Sequence, residues 1–122
     1  NIKTFIHPSA IISDSSRIGI GCIIFPFCYL SESSIIKNFV TLNSYTGIGH
    51  DSTIGDYSTL SAQIDIAGHC TIERGCFLGS GCRVIPKKCI GEFSSVGAGS
   101  LVIKNVTKNS SVFGSPATKL NL

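Results

Sequence analysis

The chain has 122 residues, enough for one domain with a core of its own and too few for two. Ten Lys and Arg against seven Asp and Glu leave a formal net charge of +3, too small and too scattered for a nucleic-acid surface but compatible with an anionic small ligand. Ile, Val, Gly, Ser and Cys abound while Trp and Met are missing, and no apolar run reaches the roughly 18 residues of a membrane span, so the composition predicts strands and tight turns in a cytoplasmic protein with no membrane partner.

In chain order, the first signal is Ile6 in "FIHPSA", residues 5–10, where His7 precedes Pro8 and reads as a strand-entry residue. From Ile12 onward every sixth residue is Ile, Leu or Val: Ile18, Ile24, Leu30, Ile36, Leu42, Ile48, Ile54, Leu60, Ile66, Ile72, Leu78, Val84, Ile90, Val96 and Val102. Four residues after each aliphatic a mostly small residue recurs, from Ser16, Cys22 and Cys28 through Ser52, Ser58 and Cys70 to Ser94 and Ser100. Glycine recurs one position after the aliphatic at 19, 49, 55, 79, 91 and 97, where a corner benefits from a residue that tolerates positive φ.

A period of six with a large and a small inward residue fits short parallel strands joined by corners. Three hexads make one coil, and coils stack at about 4.8 Å. The prediction is an all-β triangular prism, a parallel β-helix over 1–106 with about five coils, followed by a C-terminal tail over 107–122. Five of the six cysteines fall on the small inward position and read as compact apolar fillers, Cys89 being the exception. There is no CxxC pair, so neither a disulfide framework nor a zinc site is expected.

Residues three hexads apart share a column along the prism axis, and the column through His50 runs Glu32, His50, Gly68, Pro86, Lys104. A glycine with an accessible backbone N–H therefore stacks about 4.8 Å from an imidazole. On the neighbouring face Ser44, Ala62, Ser80 and Ala98 line up as a smooth strip on which a long thin ligand such as a pantetheine arm could lie. The same small residues also suit tight corners or subunit packing. His69 reads as a solvated corner or a subunit contact.

The blocks "FIHPSA", "LNSYTGIGHDSTIGD" (42–56), "IAGHCTIERGCFLGSGC" (66–82), "IGEFSSVGAGSLVIKNV" (90–106) and "VFGSPATKL" (112–120) together resemble the hexapeptide-repeat acyltransferases. The resemblance is specific to the bacterial sugar O- and N-acetyltransferases, the sialic acid O-acetyltransferases and UDP-4-amino-sugar N-acetyltransferases among them. It implies left-handed winding, a homotrimer with a cofactor groove between prisms, acetyl-CoA as co-substrate, no metal, and a sugar or nucleotide-sugar acceptor. It also implies that His50 is a general base and that Asp51 orients it, since an imidazole titrates near neutral pH and a carboxylate fixes its tautomer. Gly68 corresponds to a glycine whose N–H contacts the thioester carbonyl, Ser61, Ser80 and Ala98 to positions lining the CoA groove, and Asn43 to a residue of the substrate pocket.

Three departures from the family stand out. Thr118 precedes Lys119 where the usual tail reads GxPAK, Thr59 occupies a position that can be His, and the small N-terminal βαβ domain that binds the nucleotide sugar is expected to be missing. A chain opening at Asn1 without Met reads as an excerpt or a processed piece of something longer. Two other readings are a non-catalytic β-helix scaffold or binding module, and a γ-type carbonic anhydrase-like zinc enzyme using His7, His50 and His69.

Overall fold

The computed structural model describes residues 2–121, and the series of hexads folds as the period dictates. Seventeen two-residue strands run from β1 (Phe5–Ile6) to β17 (Leu101–Val102), followed by β18 (Ser111–Gly114) and β19 (Ala117–Lys119). The two-residue strands pair in parallel with the strand three hexads away, as in Thr59↔Phe77 and Leu60↔Leu78. Every third strand shares a sheet, giving three faces. The first carries Ile24, Leu42, Leu60, Leu78 and Val96; the second Leu30, Ile48, Ile66 and Val84; the third Ile36, Ile54, Ile72 and Ile90.

The prism makes about six turns, more than the five expected. Strand β1 adds a layer below Ile24, and the winding continues past Val102 after one shortened hexad. Val106 bridges Ile90, and β18 pairs Val112 with Val96, each falling two positions short of a full coil. β19 then folds back antiparallel on β18.

From Ile24 to Val102 every aliphatic of the series is at most 2% exposed. Each contributes about 1.5–3 kcal/mol by leaving water. The small inward position does more than make room. Ser52 Oγ donates to Ala67 O at 2.7 Å, Ser58 Oγ to Glu73 O at 2.9 Å and Thr46 Oγ1 to Ser61 O at 3.0 Å. The Sγ–H groups of Cys28, Cys70 and Cys76 do the same to Asn43, Ile85 and Gly91 at 3.1, 3.2 and 3.2 Å. Each donor thus satisfies a corner carbonyl of the following coil to which no backbone N–H donates. Burial pushes the Cys28, Cys70 and Cys76 thiols up and Cys82 up to about 12, which keeps the proton on sulfur.

Ser58 Oγ also accepts from Cys76 N–H at 3.1 Å. Ser58→Ala therefore leaves the Glu73 carbonyl and the buried Cys76 amide without these partners, and a loss of about 1–3 kcal/mol is expected in equilibrium urea unfolding. Ser58→Cys, which keeps the donor, should lose less; equal losses for the two would contradict the donor role.

The corners correct the reading of the glycines. Positive φ falls three residues after the aliphatic and is taken mostly by other residues, among them Tyr45 (61°), Asp51 (58°), Tyr57 (62°) and His69 (58°). Their N–H groups donate one coil back, Asp51 to Glu32 O at 3.0 Å and His69 to His50 O at 2.9 Å. The glycines one residue after the aliphatic answer a packing demand instead: a Cβ on Gly55 or Gly79 would lie 2.6 Å from a backbone nitrogen of the next coil. His7 leaves β1 instead of leading into a strand, and its Nδ1 accepts from Ser9 N–H at 3.1 Å. Among the described residues no helix is long and apolar enough to cross a membrane.

Candidate active site

At the edge between the second and third faces the chain turns through Gly49, His50, Asp51 and Ser52. A Cβ on Gly49 would sit 2.5 Å from Ala67 C and 2.6 Å from Gly68 N, so this corner rests directly on the peptide of the next coil. Ser52 locks the stacking from inside, donating to Ala67 O and accepting from Cys70 N–H at 3.0 Å. His50 is thereby held over Gly68. A Cβ there would meet its Nε2 at 2.6 Å, Cε1 at 2.9 Å and Cδ2 at 3.0 Å, so the imidazole covers the space that a side chain would fill.

Consecutive residues of an extended strand diverge, yet His50 Nδ1 lies 3.0 Å from Asp51 Oδ2. The left-handed backbone of Asp51 is what turns its carboxylate back, and Asp is among the residues that adopt this conformation most readily. With Nδ1–H donated to the carboxylate, the lone pair sits on Nε2, the atom closest to Gly68. The Gly68 N–H donates to no backbone carbonyl among the described residues. It is left over by the fold.

His69 stands at a solvent-exposed corner, as the sequence suggested, but not apart from the site. Its Nε2 lies 3.8 Å from Asp51 Oδ2 and its ring stands edge-on to His50, with centroids 4.9 Å apart and planes at 88°. Position 69 stands one full coil from Asp51, so the column rule that paired His50 with Gly68 pairs these two as well. His50, Asp51 and His69 are the one set of three metal-ligating side chain types gathered within 4.8 Å among the described residues. Its closest contact is the His50–Asp51 hydrogen bond. His7 follows a strand of the first face and lies on another edge.

The remaining predicted residues lie along the edge between the first and second faces, not beside His50. There Ser61, Ser80 and Ala98, with Phe77, Phe113 and Leu120, line a groove of about 470 Å³. Two of its apolar walls, Phe113 and Leu120, come from the C-terminal hairpin. Asn43 lies lower on the same edge and its Oδ1 accepts from Ser44 N–H at 2.7 Å. One prism thus carries an imidazole corner on one edge and a long groove on the next, separated by the width of the second face, at most about 20 Å for a hexad of extended chain.

No family model matches the chain. The GDP-perosamine N-acetyltransferase of Escherichia coli O157:H7 is 37% identical over 78 residues, which are 64% of this chain and 35% of that protein. Among solved structures, PerB from Caulobacter crescentus, crystallised with CoA and GDP-perosamine, superposes with a TM-score of 0.97 at 31% identity, covering 98% of this chain and 58% of that one. WeeI from Acinetobacter baumannii AYE gives 0.91 at 31% identity, covering 94% and 57%. The chain spans from about a third to under two thirds of the length of these relatives.

The winding matches that of the left-handed β-helix acetyltransferases. Over nearly its whole length the chain is similar to part of a perosamine N-acetyltransferase, PerB, and to part of WeeI.

Proposed function

We propose that this chain is the catalytic β-helix of an acetyl-CoA-dependent N-acetyltransferase that acylates the amine of a nucleotide-linked sugar. The observation that carries the reading is the His50 imidazole resting on Gly68 with Nδ1 held by Asp51. In this scheme the sugar amine attacks the thioester carbonyl and His50 Nε2 accepts the amine proton. The Gly68 N–H stabilises the oxyanion, the C–S bond breaks, and the imidazolium returns the proton to the departing CoA sulfur. Asp51 holds the tautomer throughout. Ser61, Ser80 and Ala98 seat the pantetheine arm, and Asn43 contacts the acceptor. The relatives that bind CoA and GDP-perosamine support this choice of donor and acceptor class. Residues 1–106 are the β-helix domain and 107–122 a tail whose Phe113 and Leu120 complete the groove. Free thiols at all six cysteines suit the reducing cytoplasm.

Because base and groove lie on different edges, the scheme requires a homotrimer in which the His50 corner of one subunit faces the groove of its neighbour. The test is complementation. His50→Ala and Ala98→Trp should each be inactive alone, and unfolding and refolding them together should restore activity, since a mixed trimer contains sites built from two intact edges. If the mixture stays inactive while the wild type refolds to full activity, the shared site is wrong.

A further inference from the structure

We propose that His69 is a positioning residue that holds Asp51 in line with His50; the inference rests on His50 being the base. The pair it would steady is open to water. The side chains of His50 and Asp51 are 59% and 48% exposed, and a carboxylate with one hydrogen bond at such a site rotates readily into solvent. Two features of His69 oppose that. Its Nε2 stands 3.8 Å from Oδ2, the same oxygen that meets His50 Nδ1, so one carboxylate oxygen lies between two ring nitrogens. Its ring also stands perpendicular to the His50 ring at 4.9 Å, a wall against rotation of that imidazole.

The backbone fixes this arrangement. His69 and Asp51 occupy the same corner position of successive coils, both with φ of 58°, and His69 N–H donates to His50 O at 2.9 Å. His69 is thus anchored to the residue whose side chain it abuts. It touches the base and its carboxylate and acts through them.

The test is a double-mutant cycle with Asp51→Asn, read in kcat and KM. Glycine accepts the left-handed backbone without strain, so His69→Gly isolates the side chain. It should lower kcat about 3- to 10-fold with the KM for acetyl-CoA unchanged, and His69→Asn, which keeps an N–H donor and tolerates the same φ, should recover part of that loss. In the Asp51→Asn background the His69→Gly change should alter kcat by less than about twofold, because residues acting through one another are not additive. A full second loss in that background, or no loss in the wild-type background, overturns the inference. His50→Ala measured alongside separates the two levels: if it keeps its turnover the assignment of His50 as base falls and the inference with it, and if it is inactive while His69→Gly is silent only the role of His69 falls.

Discussion

His50→Ala is expected to lower kcat for acetyl transfer about 10²- to 10⁴-fold, the range a positioned general base contributes. The structure makes this a clean experiment. The His50 side chain is 59% exposed and supports no part of the buried series of aliphatics, so the melting temperature should change little. The groove proposed to seat CoA is lined by Ser61, Ser80, Ala98 and their neighbours and not by His50, so acetyl-CoA affinity by calorimetry should be unchanged. Turnover followed by CoA release that stays within tenfold of wild type would remove the base from His50, and with it the functional use of Gly68 and Asp51.

Gly68→Ala should cost about 10²-fold in kcat, as expected when a reacting group is displaced by about an ångström. The added methyl would stand 2.6 Å from Nε2, and the imidazole must leave its seat to accommodate it. Gly68 is absent from the positive-φ positions, so alanine there carries no backbone penalty and the fold should survive. The discriminating readout is the pair of parameters: a fall in kcat with little change in the KM for acetyl-CoA fits a displaced base, whereas an unfolded protein or unaltered turnover does not.

The prism itself was legible because its cause is periodic. Every sixth position from Ile12 to Val102 must be aliphatic when three short strands per turn share one narrow core. What stayed hidden is carried by conformation. Left-handed corners at Phe27, Tyr45, Asp51 and His69 leave no glycine in the sequence, because hydrogen bonds to the preceding coil hold ordinary residues there. The glycines at 49, 55 and 79 instead record close contact between coils, a property of two distant segments and invisible in either one. The pairing of His50 with Gly68 followed from stacking one coil apart, and the same rule applied to Asp51 would have found His69. Ser61, Ser80 and Ala98 line one groove with Asn43 lower on the same edge, and hexad counting puts all four one third of a turn from His50.

The one shortened hexad after Val102 has a consequence for how such a molecule can change over time. Gain or loss of a whole coil restores the angular phase of everything downstream, whereas a single hexad rotates it by a third of a turn and a slip of two positions puts inward side chains out of step. In this chain the slip occurs only beyond Val102, after the imidazole corner has been set, where a single pairing at Val106 and the closing hairpin can absorb it. Length is therefore free to drift at the finished end of the winding and is quantised everywhere below it.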